Sequence, residues 1–189
     1  MKTRLTMILV AFLLASVPAV AQRARRPATG TDTGPVTVTR SAALRITIAS
    51  DTVGIFEYLS NSAKLIEWCP DQAIIEPQLG GKYHFRWNDR GGVWSGVVTE
   101  FIRGNTLAYT WEPPGETAET NVRFRVFPQG AATVVELTHS GFTSSTAQEA
   151  AVNAWAFYLQ NLKSVIEEGT DLRLQARRPT SRRPARSRR

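Results

Sequence analysis

Two histidines and one cysteine are the side chains in this 189-residue sequence best suited to metal binding or nucleophilic chemistry. His84 lies opposite the apolar face of its predicted strand and His139 lies on the apolar face of another, so a shared metal is not expected. The lone Cys69 excludes a disulfide framework and a multi-cysteine zinc site. With no histidine near it in the sequence, Cys69 is either a packed thiol or a reactive one.

Acidic side chains could serve as a general acid and base if two of them met inside the fold. Glu100, Glu112 and Glu136 fall at outward positions or near strand ends, and no such pair is placed together inside. The sequence also lacks the phosphate-binding, dinucleotide-binding, serine-hydrolase and zinc-protease motifs. It therefore predicts no catalytic residue, no metal and no cofactor.

Aromatic side chains at regular spacing offer a different chemistry, because they can form the wall of a pocket for an apolar ligand. The same spacing is also typical of a packed core, and that alternative stays open for each residue. The residues predicted to line a cavity are Tyr83, Phe85, Trp87, Trp94, Tyr109, Trp111, Phe124, His139, Trp155, Tyr158 and Leu159.

His139 is the polar member of this set. It shares a strand face with Val135 and Leu137 near the end of the strand. Either a backbone carbonyl satisfies its ring as part of the core, or the ring orients a carboxyl or hydroxyl group of a ligand.

The strands that would carry these residues follow from side-chain alternation. Leu44, Ile46 and Ile48 alternate with polar residues and predict a first strand. Six more strands are predicted at 72–76, 82–87, 93–102, 106–112, 120–127 and 133–140. Glycine, proline and asparagine in the short connections predict an antiparallel meander.

Three helices complete the prediction. Ser50 or Asp51 can cap a short helix that runs through residue 59, and a second covers 62–68 before Pro70. The third, 147–168, ends at Gly169 and carries one apolar stripe. We therefore predict an α+β fold, in which a curved antiparallel sheet of six to seven strands wraps around the long C-terminal helix.

The formal net charge of +7 is distributed unevenly along the chain. Residues 1–43 carry +5 and residues 173–189 carry +8, whereas residues 44–172 carry −6. A nucleic-acid-binding domain would place its positive charge on a folded surface, so no specific nucleic-acid partner is expected. The arginines predict a disordered tail at 173–189, which is either a solvated appendage or a segment attracted to anionic lipid or polyanions.

The N-terminus has the features of a secretory signal. Lys2 and Arg4 precede an apolar run of thirteen residues, which is short of the roughly 20 that a membrane helix needs. Small residues at Ala19 and Ala21 then form a cleavage site. Residues 1–21 are predicted to be removed on export to the periplasm or the exterior, with a retained anchor as the alternative. A polar linker at 22–35 and a folded domain at 36–172 follow.

Several segments of the domain match a known family. They are A-L-R-I-T-I-A-S-D-T-V-G-I-F-E-Y-L, L-I-E-W, G-G-K-Y, W-S-G-V-V, L-A-Y-T-W and, most specific, T-V-V-E-L-T-H-S-G-F and N-A-W-A-F-Y-L-Q-N-L-K-S-V-I-E-E-G. From Leu44 to Leu172 the chain resembles the C-terminal domain of activator of heat-shock-protein ATPase homologues, within the START-like, helix-grip (SRPBCC) superfamily.

The resemblance implies a β-α-α-β meander ending in the long helix, a cavity between sheet and helix, and no shared catalytic set. Eukaryotic members stimulate a chaperone ATPase as part of a larger protein. We do not expect a chaperone partner here, because the chain has one such domain without the partner N-terminal domain and is predicted to be exported.

Three functions remain as hypotheses. The first is non-catalytic binding of a small apolar or amphipathic ligand in the cavity. The second is an enzyme of the cyclase or hydrolase type that uses polar groups of the cavity, as other superfamily members do. The third is an interaction module that its tail recruits to anionic surfaces.

Overall fold

An antiparallel sheet and a long helix packed on its inner face make up the fold. The structure is a computed structural model that describes residues 39–114 and 119–176. The predicted signal at 1–21, the linker at 22–35 and residues 177–189 of the predicted tail lie outside the described residues. Within the described ranges, no helix combines the length and apolar character of a membrane span.

The seven strands form one sheet in the order β1-β7-β6-β5-β4-β3-β2. The strands are β1 (Arg40–Ile48), β2 (Gln72–Ile75), β3 (Lys82–Arg86), β4 (Trp94–Ile102), β5 (Thr106–Trp111), β6 (Thr120–Gln129) and β7 (Ala132–Phe142). The helices are α1 (Thr52–Ser60), α2 (Ser62–Leu65), α3 (Ser145–Glu168) and α4 (Leu172–Ala176). The predicted α+β helix-grip class is confirmed, and pairing of the first strand with the last completes the sheet.

Side-chain alternation distinguishes the two faces of the sheet as predicted. Along β3, Tyr83 and Phe85 are buried, whereas His84 and Arg86 are exposed. In the β6–β7 pair, Phe124 lies opposite Leu137, with both side chains buried. The inner face therefore carries the apolar core that packs against α3.

The acidic residues of the strands form ion pairs on the outer face. Glu100 accepts two hydrogen bonds from Arg123, at 2.9 and 3.0 Å. Glu136 pairs with Arg45 of β1 and lies 3.9 Å from Arg125 of β6. The prediction that these two acids point outward is confirmed. As partly exposed pairs they contribute roughly 0–1 kcal/mol each, so they help to set strand register more than stability.

The helix ends follow ordinary capping rules. The Asp51 side chain accepts a hydrogen bond from the Gly54 N–H at 2.8 Å, which confirms it as the cap of α1. Ser144 caps α3 through the Ala147 N–H, and the helix begins at Ser145, two residues earlier than predicted. Gly169 ends α3 with φ of 65°, a left-handed conformation that favours glycine.

Helix α2 is shorter than predicted. It ends at Leu65 rather than at residue 68, because the next N–H groups bond to carbonyls only three residues back. Glu67 bonds to Lys64 and Trp68 to Leu65, at 3.2 Å each. This tighter turn carries the chain to Pro70, which cannot continue a helix.

The predicted disorder from residue 173 onward is wrong for 173–176, which belong to α4. The Arg173 side chain is only 11% exposed. It donates to the carbonyls of Ile66, Cys69 and Pro70 at 2.7, 3.0 and 2.9 Å. These acceptors lie at the turn after α2, so Arg173 is part of the folded domain and not of the tail.

Candidate functional site

A cavity of about 240 Å³ lies between the first half of α3 and one end of the sheet. Because neighbouring strands are antiparallel, the end of one strand and the start of the next meet at the same edge. Five strands or their flanking residues therefore contribute to one wall. The sheet side of the cavity is formed by Trp87, Trp94, Trp111, Thr120, His139 and Phe142.

The helix side of the cavity is made of small residues. Ala147, Ala150, Ala151 and Ala154 recur at helical spacing and face the aromatic wall. Trp155 and Tyr158, which follow on α3, complete the helix side of the lining, and the larger side chains beyond them fill the core. The space exists because methyl groups stand where the second half of the helix has rings and branched side chains.

The aromatic wall is interlocked by ring contacts. The rings of Trp87 and Trp94 lie 4.8 Å apart, centroid to centroid, in an edge-to-face arrangement. Trp111 lies 5.4 Å from Trp155 and 6.0 Å from Trp87. Such pairs stabilise one another beyond simple burial, so the wall is preformed.

His139 is held by hydrogen bonds at both ring nitrogens. The indole N–H of Trp155 donates to Nδ1 at 3.0 Å, so Nδ1 carries no proton. In the neutral ring the proton is then on Nε2, which lies 2.8 Å from the Thr120 hydroxyl and donates to it. That hydroxyl in turn donates to the Trp111 carbonyl at 3.0 Å. Every donor in this series of hydrogen bonds, from Trp155 through His139 and Thr120 to Trp111, has an acceptor.

Burial keeps this network uncharged. It lowers the pKa of His139 from 6.5 to about 4, so the ring is neutral at neutral pH. Burial likewise raises the pKa of Tyr158 to about 12. Both ring nitrogens of His139 are therefore satisfied at the cavity wall, by an indole and a hydroxyl and not by a backbone carbonyl.

Cys69 supports the cavity wall through its backbone. Its carbonyl accepts the indole N–H of Trp87 at 3.0 Å. The thiol itself is buried, and burial raises its pKa. A protonated, enclosed sulfur is a poor nucleophile, so the structure favours the packed-thiol alternative.

The structure separates the eleven predicted cavity residues into two groups. Six line the cavity, namely Trp87, Trp94, Trp111, His139, Trp155 and Tyr158. Five do not, and their prediction as lining residues is corrected: they are Tyr83, Phe85, Tyr109, Phe124 and Leu159, all buried in the core. Four of them lie on the predicted inner face of the sheet but further from its open end, and Leu159 lies on α3 one turn beyond Trp155. A ligand-binding role for the six stays a prediction.

Tyr83 is one of the five predicted residues that lie in the core and not on the cavity. Its hydroxyl donates to the Thr110 carbonyl at 2.6 Å, and its ring lies 4.9 Å from that of Tyr109. Both rings are fully enclosed. They pack behind the cavity wall and stabilise it.

Several residues that line the cavity were not predicted from the sequence. They are Arg90, Pro113, Thr120, Phe142 and the four alanines of α3. The alanines do carry a signal, since their spacing continues the apolar stripe of α3 toward its N-terminus. Arg90 carries none, because a charged residue in a glycine-rich turn is usually solvated.

Phe142 lies on the cavity because of an irregularity in β7. The register between β1 and β7 shifts between Arg40 and Ser41, which leaves Gly141 unpaired. Gly141 has φ of 98°, a conformation that side-chain-bearing residues rarely adopt. This bulge reverses the alternation, so Phe142 faces the same side as His139, with the two rings 4.4 Å apart.

A second groove, of about 450 Å³, lies beside the turn between α1 and α2. Its uncharged polar lining is already used in the fold: Asn61 caps α2, Ser60 bonds to the Phe56 carbonyl and Ser62 accepts from the Ile75 N–H. The cavity under α3 is the better candidate for a ligand site. Among the described residues, no group of three His, Cys, Asp or Glu could hold a metal ion.

The curved seven-stranded sheet, the long C-terminal helix and the cavity between them define a START-like, helix-grip protein. The family model described as activator of Hsp90 ATPase homolog 1-like protein matches residues 53–167. The chain belongs to this family.

Solved structures show the same fold. A protein of Mesorhizobium loti, MLL2253, is 21% identical with a TM-score of 0.63, over 69% of this chain and 99% of that one. The Aha1 dimer from Colwellia psychrerythraea is 24% identical with a TM-score of 0.63, over 69% and 98%. CalU16 from Micromonospora echinospora is 19% identical with a TM-score of 0.60, over 69% and 78%. No curated protein sequence matched the chain.

Proposed function

We propose that this protein binds a small apolar or amphipathic molecule in the cavity under α3 and performs no reaction on it. The observation that carries the proposal is the contrast between the two walls. Interlocked tryptophans of the sheet form one side, and the alanine face of α3 forms the other. An amphipathic helix packed only for stability would fill this space with larger side chains.

The size of the cavity limits the ligand. At about 240 Å³ it exceeds the roughly 150 Å³ known to accept benzene and falls just below the about 300–1,000 Å³ of common ligand pockets. A bicyclic aromatic molecule or a medium-length acyl chain suits such a volume.

The state of His139 supports binding over catalysis. General acid–base work needs a group that can gain or lose a proton near the operating pH. His139 has both nitrogens engaged and a pKa lowered to about 4. No aspartate or glutamate of the described residues lines the cavity. An enzymatic function would therefore need a reactive group supplied by the ligand or its partner.

The experiment is calorimetric titration with two neutral probes, 2-naphthylmethanol and decan-1-ol. Ala151→Leu places a branched side chain in the cavity, and Ala156→Leu makes the same change at an exposed position of α3. We expect binding to the wild type and to A156L, and a loss of about tenfold or more in A151L. Absence of binding to the wild type, or equal affinity in the two variants, would overturn the proposal.

We further propose that the protein acts after export and that its arginine-rich tail contacts anionic lipid or another polyanion. The features that support this are the N-terminal apolar run and the seven arginines of residues 177–189. The first predicts a secreted form that begins near Gln22 in the mass spectrum. The second predicts that deleting 177–189 abolishes binding to vesicles containing phosphatidylglycerol, whereas unchanged binding would contradict it.

A further inference from the structure

We infer that the cavity selects a monocarboxylate, whose apolar part lies against the alanine face of α3 while its carboxylate meets Arg90 at the cavity mouth. The inference rests on the proposed function and deepens it by naming the ligand class. Hydrogen-bond donors of the cavity-lining residues that no protein group uses point to this class of ligand.

The tryptophans of the protein differ in what their indole N–H groups do. Trp68, Trp87 and Trp155 donate to the Tyr58 carbonyl, the Cys69 carbonyl and His139, respectively. These three donors are fully used inside the protein and have nothing to offer a ligand.

Trp94 and Trp111 are different. Their indole N–H groups have no acceptor among the described residues, although both side chains line the cavity. None of the described buried polar atoms lacks a partner, so these two nitrogens lie at accessible surface. The indole N–H groups of two cavity-lining side chains are thus available to an acceptor from outside the protein.

The acceptors of the His139 network are engaged. Nδ1 of His139 accepts from Trp155, and the Thr120 hydroxyl accepts from Nε2 of His139. For a ligand that brings a donor, the wall offers only hydroxyl oxygens, those of Thr120 and Tyr158, and no carboxylate of the described residues. A ligand that brings an acceptor finds Trp94 and Trp111.

Arg90 adds a positive charge to this donor set. Its guanidinium lies 5.8 Å from the centre of the Trp87 ring, a cation–π arrangement that keeps it at the cavity. No described carboxylate lies within ion-pair distance of it. Arg90 is exposed at the cavity mouth, where it can meet a ligand. Arginine presents a planar fork of N–H donors that matches a carboxylate.

An aromatic wall can also bind a quaternary ammonium group. Two features oppose that here. Arg90 already lies over Trp87 and repels a second cation, and no acidic side chain of the described residues lines the cavity. The charge and the donors together favour an anion.

Matched probes test the inference, because 2-naphthoate and 2-naphthamide have the same shape and differ in charge. In calorimetry at pH 7.5 we expect the wild type to bind the carboxylate about tenfold tighter or more, the size of a charge-assisted hydrogen bond. In Arg90→Gln the preference should fall to about twofold or less. Arg86→Gln, at an exposed arginine of β3 outside the cavity, should keep it.

The outcomes separate the two proposals. Equal affinity of the wild type for acid and amide, or an R90Q variant that keeps the preference, would overturn the carboxylate inference. If A151L still weakened both naphthyl probes in that case, the binding function would stand. Failure of every probe to bind the wild type would overturn both. Tighter binding of naphthyl-trimethylammonium than of 2-naphthoate would also overturn the carboxylate inference.

Discussion

The indole N–H of Trp155 on α3 donates to Nδ1 of His139 on β7 across 3.0 Å, which ties the helix to the sheet at the cavity wall. The bond requires an unprotonated Nδ1. The contact between helix and sheet is therefore linked to pH through a single ring.

The free energy of unfolding should decrease as the pH is lowered from about 6.5 to about 4, because His139 has a lower pKa in the fold than in the unfolded chain. Its pKa is about 4 in the fold against 6.5 for a free side chain. Between those values the unfolded chain binds a proton that the folded chain does not, so stability is complete above about pH 6.5 and is lost toward pH 4. The loss from this residue amounts to about 3 kcal/mol.

Urea unfolding at pH 8 and pH 4 measures this loss. The wild type should lose about 3 kcal/mol more than His139→Gln, whose amide can bond to both Trp155 and Thr120 but cannot be protonated in this range. His84→Gln, at an exposed histidine, should behave like the wild type. Identical pH dependence in H139Q and wild type would contradict the assignment.

Gly141→Ala should be costly. The substitution strains a residue with φ of 98° and brings a new Cβ to 3.2 Å from the Thr120 Cα. Gly130→Ala is the matched control, because that residue also has positive φ but has nothing within 4 Å of the new Cβ. We expect G130A to lose about 1–2 kcal/mol of unfolding free energy, and G141A to lose more.

The G141A variant should also change the cavity, since the bulge turns Phe142 toward His139. Its naphthyl affinity should drop while that of G130A is unchanged. Equal stability and equal affinity in the two variants would show that the bulge has no part in the site.

Arg173 should be required for stability although it lies in an arginine-rich segment. It shares the Cys69 carbonyl with Trp87, each donating at 3.0 Å. Arg173→Ala should cost about 2 kcal/mol, because buried carbonyls lose a charged donor. Arg173→Lys should restore little, since lysine lacks the planar fork. Arg86→Ala, at an exposed position, should cost about 0.5 kcal/mol or less.

Two C-terminal truncations test whether α4 belongs to the folded domain. Deleting 177–189 should leave the urea midpoint unchanged, whereas deleting 173–189 should lower it as far as R173A does or further. If both truncations behaved alike, α4 would be no part of the stable domain.

Most of the fold follows from local signals in the sequence. Alternation along 82–87 assigned Tyr83 and Phe85 to the inner face, and turn residues separated the strands correctly. The capping of α1 by Asp51 and the end of α3 at Gly169 were also readable, because each depends on neighbours within a few residues.

The site was harder to predict for physical reasons. Side-chain alternation tells which face of a strand a residue occupies, but not whether that residue lies near the cavity or further inside the core. Phe85 in the core and Trp87 on the cavity therefore have the same sequence pattern. A search for large apolar residues passes over Ala151, although small size is what leaves the space. The bulge at Gly141 inverts a parity rule. Arg173 bonds to residues about a hundred positions earlier, a contact invisible to composition.

The most direct test of the central claim uses the five tryptophans as reporters. Each gives one indole N–H signal in a nitrogen-15 spectrum, and four of them, Trp87, Trp94, Trp111 and Trp155, line the cavity. Trp68 is buried outside it and bonds to the Tyr58 carbonyl, which makes it an internal control. On titration with 2-naphthoate, the account predicts that the four cavity signals shift, most of all those of Trp94 and Trp111, while the Trp68 signal stays in place. No shift in any signal, or a shift of Trp68 as large as the others, would contradict it.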